Sequence, residues 1–336
     1  MNRERYLEIS ARFPHARVLV IGDLILDQFV WGRVSRISPE APVPVVEVDR
    51  ETQYPGGAAN VARNLREFSP HASVLGTVGA DADARTLKRL LADEGIDTSA
   101  IQEDPDYRTI VKTRIIARHQ QLVRVDREQK LRPARARLDQ ALAAIEAMLP
   151  NLDAVIVEDY GKGLIQQNFA DEITARVRAA GKLLAIDPNP QNPLQWQGAC
   201  VMKPNRSEAF ASAGRPYSEP VDPVEKDEAV MEVGRALLEQ WGCSLLLITL
   251  GEQGMMLFRP GQAPYHTPTM AKEVFDVSGA GDTAIALFTL ALASGASGEE
   301  AAEISNHASG IVVGKLGTAT VSPAELLASF NTPREA

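Results

Sequence analysis

The residues with the clearest capacity for chemistry form a glycine-spaced turn, Val277-Ser278-Gly279-Ala280-Gly281-Asp282-Thr283, which leads into an apolar segment at 284–293. The first peptide N–H groups of a helix lack partners within it, so with the helix dipole they can bind an oxyanion. Asp282 could take a proton from a hydroxyl while those N–H groups hold a phosphoryl group. The turn therefore predicts phosphoryl transfer; an ordinary Gly-rich turn with a capping Asp is the alternative.

Two clusters nearer the N-terminus could bind hydroxyl groups. Asp23 and Asp27 follow the first predicted strand, at the end where open α/β sheets bind ligands. Gly56 and Gly57 would let a polyol approach the backbone, while Asn60 offers a donor and an acceptor. These residues predict a sugar site. The alternatives are a turn position for Asp23, a solvated Asp27 and a plain Gly-Gly helix start.

Two more strand ends carry residues suited to a nucleotide and its metal ion. Asn205 and Glu208 stand three residues apart, and oxygen ligands at that spacing suit a hydrated Mg²⁺. A capping box at a helix start explains the same pair equally well. Gly251 and Gly254 follow a predicted strand that ends at Thr249, and they predict close approach of a nucleotide or a hairpin turn.

Short aliphatic runs alternate with longer helical patterns, which indicates a mainly parallel central sheet with helices on both faces. The predicted strands cover residues 18–21, 74–77, 154–157, 183–186, 200–202 and 245–249. The predicted helices cover residues 57–68, 83–94, 134–148, 169–180, 229–241 and a segment after Asp282.

Two segments, 42–48 and 110–125, break this alternation because they mix β-branched residues with Arg, Lys, Gln and Glu. Each has one polar face, so neither fits a buried parallel sheet. They predict a small β-sheet lid that excludes water from a reacting phosphate, or whose edges pair with a second subunit. We expect one kinase domain over residues 1–336, with lid segments at about 30–50 and 108–127.

The composition favours a protein with a small-molecule substrate. Thirty-five basic and 44 acidic side chains give a net charge of −9, with no basic stripe for nucleic acid or an anionic membrane. Cys200 and Cys243, both in or beside apolar segments, favour reduced thiols in the cytoplasm. The N-terminus has no signal-peptide pattern, and the apolar run at 284–293 is shorter than the about 20 residues that span a bilayer.

Several other enzyme classes lack their signatures in this sequence. It contains no G-x-x-x-x-G-K-[ST] loop, no G-x-G-x-x-G after a strand, no H-E-x-x-H and no G-x-S-x-G. Its five histidines are not at metal-ligand spacing. This argues against a P-loop NTPase, a Rossmann dehydrogenase, a zincin or a serine hydrolase.

Four motifs in order carry a family resemblance: the Asp-rich first strand, Gly-Gly-x-x-Asn, Asn-x-x-Glu and Gly-Ala-Gly-Asp. Together they resemble the ribokinase-like (PfkB) carbohydrate kinase family, over roughly residues 10–325. The resemblance implies a ribokinase-like α/β fold with a β-sheet lid. It also implies ATP and Mg²⁺ as cofactors, with K⁺ as a further candidate.

Within that family, four segments resemble the kinases that act on D-glycero-D-manno-heptose 7-phosphate in lipopolysaccharide-core precursor synthesis. They lie at residues 35–46, 119–126, 159–163 and 313–323. The resemblance implies phosphorylation of the C1 hydroxyl of the heptose 7-phosphate to the 1,7-bisphosphate. The alternatives are a kinase of this type for another sugar or sugar phosphate and a non-catalytic sugar- and ATP-binding protein, which would be expected to lose the base or the anion hole.

The resemblance also assigns roles position by position. Asp282 would be the catalytic base, and the anion hole would comprise Gly279, Ala280, Gly281 and the N–H of Asp282. The sugar would contact Asp23, Asp27, Gly56, Gly57 and Asn60. ATP would lie along Asn205, Thr249, Gly251, Gly254 and Asn306, with Asn205 and Glu208 organising Mg²⁺ indirectly. Asp276 would lie at a monovalent-cation site, and charge suggests Arg118, Arg124 and Lys162 for the 7-phosphate.

Two features depart from related heptose kinases. They often carry Asp-Pro-Lys-Gly where this sequence has Asp187-Pro188-Asn189-Pro190, which removes a cation near the substrate. Many also continue into a nucleotidyltransferase domain with an H-x-G-H signature, which this sequence lacks. We therefore expect a separate nucleotidyltransferase to act downstream, and a kinase that forms a homodimer through its lid.

Overall fold

The short aliphatic runs form the strands of one large sheet. The structure, a computed structural model, describes residues 1–118, 120–271 and 273–331. In their side-by-side order the strands are β13 (Tyr265–Thr267), β12 (Met255–Phe258), β11 (Leu245–Thr249), β10 (Val201–Met202), β9 (Leu183–Asp187), β8 (Ala154–Glu158), β1 (Val18–Gly22), β4 (Ala72–Gly79) and β5 (Asp97–Asp104). Neighbours from β11 to β5 are parallel, and β12 and β13 add an antiparallel edge.

Helices cover both faces of this sheet. They are α1 (Arg3–Ser10), α2 (Ala58–Arg66), α3 (Ala82–Asp93), α4 (Arg135–Met148), α5 (Gln167–Ala179), α6 (Arg206–Ser212), α7 (Glu228–Trp241), α8 (Ala280–Ala293), α9 (Gly298–Val312) and α10 (Pro323–Ser329). One hydrophobic core lies under α2, α3, α8 and α9, and a second lies under α4, α5 and α7. Every residue of β1, β4 and β8 is buried, as expected for strands covered on both faces.

A second sheet carries the segments expected to form the lid. Its strands, in order, are β3 (Pro44–Gly57), β2 (Leu24–Ile37), β6 (Ile110–Ala117) and β7 (Gln120–Arg127). Only Asp23 separates β1 from β2, and α2 begins directly after β3. The lid is therefore joined to the central sheet where strands of that sheet end.

The structure confirms the predicted fold class, a mainly parallel α/β sheet with a smaller separate sheet. The sequence patterns did not indicate α1, α9, α10, β5, β12 or β13. Polar residues interrupt α9, and β5 is an edge strand with several exposed positions, so neither shows a clean aliphatic run. Among the described residues, no helix is long and apolar enough to cross a membrane.

Candidate active site

The glycine-spaced turn forms the start of α8. Gly279 has φ 79°, a left-handed conformation in which a side chain would be strained. A Cβ there would also lie 2.8 Å from the side-chain nitrogen, Nδ2, of Asn60. Glycine at this position therefore allows the turn to pack closely against α2.

The peptide N–H groups of this turn differ in their partners. Within the described residues, those of Gly281 and Asp282 have no hydrogen-bond acceptor. The N–H of Ala280, predicted to belong to the anion hole, donates to the carbonyl of Val277 at 3.2 Å. Gly281 and Asp282 thus supply unpaired donors to a cleft of about 550 Å³ that the turn borders.

Asp282 is buried at the same helix start, and both its carboxylate oxygens accept hydrogen bonds. The hydroxyl of Tyr160 donates to Oδ1 at 2.7 Å, and Nδ2 of Asn60 donates to Oδ2 at 2.8 Å. Burial raises the pKa of the Asp282 carboxyl, while these bonds and the charge of Lys203 oppose the rise. A fixed carboxylate with a raised pKa is suited to act as a general base.

Asn60 lies on the first turn of α2 and connects that helix with α8. Its carbonyl accepts from Nδ2 of Asn64 at 2.9 Å, and Oδ1 of Asn64 accepts from the hydroxyl of Thr283 at 2.9 Å. The side-chain oxygen of Asn60 is buried and has no donor in the described part of the chain. A ligand hydroxyl could supply the missing donor.

Asp23 holds the loop that carries Tyr160. Its Oδ2 accepts from the backbone N–H groups of Tyr160 at 3.2 Å and Lys162 at 3.0 Å. Burial raises the pKa of Asp23, and these bonds partly offset the effect. One carboxylate oxygen predicted to bind sugar is thus already engaged in positioning the loop that supports Asp282.

Asp27 lies in the lid where β2 leaves the central sheet. It is buried and accepts a bond from Arg114 at 2.5 Å. A Cβ at Gly56 would come within 2.1 Å of Oδ2 of Asp27, so this approach of β3 requires glycine. Gly57, with φ 60°, turns the chain into α2 where a Cβ would contact the carbonyl of Asp23.

A cluster of charged side chains lies near Gly281, at the start of α8. Lys203, after β10, pairs with Asp187 at the end of β9 at 2.7 Å. Burial alone would lower the pKa of Lys203, but Asp187, Glu208 and Glu158 together raise it. A Cβ at Gly281 would lie 3.5 Å from Nζ of Lys203, which places this ammonium beside the unpaired N–H groups.

Burial raises the pKa of two carboxyl groups in this cluster. Burial raises the pKa of Asp187 to about 7, with Lys203 opposing. Burial raises the pKa of Glu158 well above its usual value, and the charges of Asp187 and Asp282 add to the rise. The Oε1 atom of Glu158 has no donor among the described residues.

The residues predicted along the nucleotide lie on the cleft wall or behind it. Asn205 and Glu208 form a capping box at α6, with bonds of 3.0 and 2.8 Å, so the alternative drawn from the sequence is present. Thr249 and Gly251 border the cleft. Gly254, with φ 87°, turns β11 into β12, and a Cβ there would lie 2.0 Å from the carbonyl of Thr267.

Two other predicted residues lie on either side of α8, Asp276 in the loop before it and Asn306 on the next helix. Asn306 on α9 donates to the carbonyl of Pro268 at 2.6 Å. Asp276 accepts from the N–H groups of Ser278 at 2.9 Å and Gly317 at 3.1 Å. Asn306 thus holds the segment after β13, and Asp276 holds the loop that leads into α8.

Two of the three cations predicted for a substrate phosphate are paired with carboxylates. Lys162 pairs with Glu128 at 2.7 Å, and Arg124 on β7 pairs with Asp126 at 2.9 Å. Arg118 is exposed at the turn after β6, with φ 55°, at the end of that strand away from Asp27. His119, part of a heptose-kinase-like segment, lies outside the described residues.

Comparison with protein families decides the classification. The family model for pfkB family carbohydrate kinases matches residues 15–325. The chain belongs to the pfkB carbohydrate kinase family. Solved structures agree in fold: Arabidopsis thaliana ribokinase complexed with ribose and ATP superposes with a TM-score of 0.70 at 19% identity, covering 94% of this chain and 99% of that one. Phosphofructokinase-2 from Escherichia coli with potassium gives 0.73 at 19% identity, covering 94% and 98%.

Closer in sequence to this kinase are curated proteins called bifunctional protein HldE. The one from Desulfatibacillum aliphaticivorans is 42% identical over 319 residues, 95% of this chain and 64% of its own length. The one from Vibrio cholerae serotype O1 (strain O395) is 41% identical over 314 residues, 94% of this chain and 63% of its own length. The chain thus spans less than two thirds of the length of these relatives.

Sequence reasoning about this pfkB kinase missed three polar residues around Asp282. Lys203 and Asp187 lie at the carboxyl ends of strands, where open α/β sheets bind ligands. The same position in the sequence identified Asp23 and Asn205, so it could also have identified Lys203 and Asp187. Tyr160 also follows a predicted strand, 154–157, but a strand end alone does not indicate its contact with Asp282, which joins positions 122 residues apart.

Proposed function

We propose that this pfkB kinase transfers the γ-phosphoryl group of ATP to the C1 hydroxyl of D-glycero-D-manno-heptose 7-phosphate, giving the 1,7-bisphosphate. The observation that carries the proposal is Asp282, a buried carboxylate held by Tyr160 and Asn60 beside the unpaired N–H groups of Gly281 and Asp282. Phosphoryl transfer depends on positioning and on donors aimed at the transferring group, and this arrangement provides both.

In the proposed reaction, Asp282 takes the proton of the C1 hydroxyl while that oxygen bonds to the γ-phosphorus. The bond from phosphorus to the β–γ bridging oxygen breaks, and ADP leaves. The anion hole, assigned to Gly279, Ala280, Gly281 and Asp282, holds the γ-phosphate oxygens chiefly through the unpaired N–H groups of Gly281 and Asp282, since the N–H of Ala280 donates to Val277. The ammonium nitrogen of Lys203 lies 3.5 Å from where a Cβ on Gly281 would be, so it adds a positive charge to the assigned anion hole.

The sugar is assigned to the side of Asp282 that faces the lid. Asn60 supports this, because its buried Oδ1 lacks a donor that a sugar hydroxyl would provide. Asp23, Asp27, Gly56 and Gly57 complete the assigned sugar site. Asp23 has two roles there: its Oδ2 holds the loop that carries Tyr160, and its other carboxylate oxygen is assigned to the sugar.

The nucleotide is assigned to the side that faces β11, along Asn205, Thr249, Gly251, Gly254 and Asn306. No group of three His, Cys, Asp or Glu side chains within the described ranges is arranged to bind a metal directly. Glu208 and the buried, unpaired Glu158 oxygen fit a Mg²⁺ that keeps its waters and is held mainly by ATP. When bound, Mg²⁺ would neutralise phosphate charge. Asp276 is the assigned residue for K⁺.

The heptose substrate rests on the similarity to the HldE proteins, a bifunctional group by name. Arg118, Arg124 and Lys162 are the cations assigned to its 7-phosphate. A pfkB-type kinase for another sugar phosphate is the second candidate, favoured by Asn189 where related heptose kinases often carry lysine. A non-catalytic binding protein is disfavoured, because Asp282 and its donors are all present.

The lid is assigned to a homodimer interface. The lid strands and the connection between β2 and β3 expose apolar side chains, namely Ile37, Val43, Val48, Val123 and Val125. Single scattered apolar residues are common on surfaces, but a group on one small sheet favours a contact with a second copy. Light scattering of the wild type and of Val123→Glu tests this assignment: a dimer that the variant weakens supports it, and a monomeric wild type contradicts it.

We assign the enzyme to the cytoplasm, where its two free thiols, Cys200 and Cys243, stay reduced.

The test is a panel of sugars in an ADP-release assay, followed by phosphorus NMR of the product. The proposal expects heptose 7-phosphate to be the best substrate and the new phosphate to be on C1. Phosphorylation at another carbon, or a clear preference for another sugar, would overturn the assignment while leaving the family membership intact.

A further inference from the structure

Lys112 is a lid cation that the assigned sites leave unused. In the paired strands it lies directly between Asp27 on β2 and Asp126 on β7. Its ammonium group is 5.6 Å from the ring centroid of Tyr160, the residue that donates to Asp282. The side chain therefore lies beside Tyr160, on the side of Asp282 assigned to the sugar.

Both neighbouring carboxylates are engaged with other cations. Arg114 pairs with Asp27 at 2.5 Å, and Arg124 pairs with Asp126 at 2.9 Å. Lys112 has no carboxylate within 4.0 Å among the residues that the structure describes. The nearby Lys162 is also paired, with Glu128 at 2.7 Å.

Lys112 is partly buried, and this makes its missing partner significant. Burial lowers the pKa of its ammonium, Asp27 opposes the effect, and the charges of Lys162 and Arg124 lower the pKa further. A desolvated cation among other cations is stabilised by a bound anion. The surrounding ion pairs already neutralise one another, so the local charge left over for a ligand is that of Lys112.

We infer that Lys112 binds the phosphate group that the acceptor sugar carries away from its reacting hydroxyl, and thereby selects a phosphorylated sugar. The inference rests on the proposed function. Lys112 lies by the ring of Tyr160 and Asp282 accepts from its hydroxyl, so a phosphate bound to Lys112 would lie away from the hydroxyl that reacts at Asp282. Beside Lys112, Arg114 and Arg124 lie opposite each other on β6 and β7, and each is paired with its own carboxylate.

The experiment compares Lys112→Met with wild type on two substrates, the sugar phosphate and the same sugar without its phosphate. Loss of a charge-assisted hydrogen bond should lower kcat/KM for the phosphorylated sugar by about 10- to 100-fold. For the unphosphorylated sugar the change should be less than about 3-fold, because the lost contact is absent there. Lys112→Arg, which keeps the charge, should retain most of the preference.

Arg127→Met is the matched control, since it removes a positive charge from the opposite face of β7. Arg127 pairs with Asp83 at 3.6 Å and alternates with Asp126 along the strand. It should leave both substrates unchanged. Thermal melting of each variant separates loss of fold from loss of recognition, and Lys112→Arg provides a folded test if Lys112→Met is unstable.

Equal losses on both substrates in Lys112→Met would overturn the inference, because the lysine would then serve the transferred phosphoryl group or the fold. A wild type that does not prefer the phosphorylated form would overturn it as well. If the wild type phosphorylates a sugar phosphate other than the heptose, the proposed substrate fails. The same pair of assays with that sugar phosphate then still decides the role of Lys112.

Discussion

Replacing Tyr160 by phenylalanine removes one of the two hydrogen bonds that hold Asp282 and leaves the rest of the side chain in place. The Tyr160 hydroxyl donates to Oδ1 at 2.7 Å. A hydrogen bond to a charged group is worth about 1.5–3 kcal/mol, and about 1.36 kcal/mol corresponds to one pKa unit. The pKa of the Asp282 carboxyl should therefore rise by about 1–2 units in Tyr160→Phe.

The direction follows from which form of Asp282 is active. The base must be ionised, burial already raises its pKa, and losing a donor to the carboxylate raises it further. The acidic limb of the profile of kcat/KM against pH should then move to higher pH by about 1–2 units. At high pH, where the carboxylate is ionised in both proteins, the variant should approach wild-type activity more closely.

The assay is ADP release measured from acidic to alkaline pH, with the sugar held well below KM. Tyr6→Phe is the control, because Tyr6 is also buried but lies on α1 and stacks against Phe330. Its profile should match wild type. A uniform loss of activity in Tyr160→Phe at every pH, with the acidic limb unmoved, would refute the reasoning and leave Tyr160 with a packing role only.

Two further predictions concern the anion hole. Lys203→Met removes the cation that Asp187 and Glu208 surround, so it should lower kcat/KM for ATP. It should also destabilise the fold by about 3–5 kcal/mol, because a buried ion pair is broken. Steady-state kinetics and urea unfolding measure the two effects, and unchanged stability would contradict the pairing. Gly279→Ala should cost about 1–2 kcal/mol of backbone strain and also displace Asn60, lowering kcat by about 10-fold or more. Gly181→Ala has a similar φ, 66°, with nothing within 4 Å of the added Cβ, so it should cost stability alone; equal kinetic effects in both variants would argue against the contact with Asn60.

The sequence predicted the fold class and the chain's family because their signals are local. Strands and helices differ in period, and Gly279 and Asp282 belong to one short turn. Asn205 and Glu208 show the limit of such signals, since the capping box observed at α6 and a metal role share the same spacing.

Contacts between residues that are distant in the sequence could not be predicted from it. Tyr160 meets Asp282 only because Asp23 holds its loop at the end of β1, and no periodicity encodes that bond. In the sequence, Lys112 is one of several polar positions in segment 110–125. Only the register of β6 between β2 and β7 shows that its neighbours are paired elsewhere.

The central claim is that Asp282 removes a proton from the acceptor hydroxyl. Its most direct test is Asp282→Asn, with the single-turnover rate measured alongside the dissociation constants for sugar and ATP. We predict a rate lower by about 10²–10⁴-fold with both dissociation constants nearly unchanged. A variant that phosphorylates sugar at the wild-type rate would show that another group, or none, acts as the base.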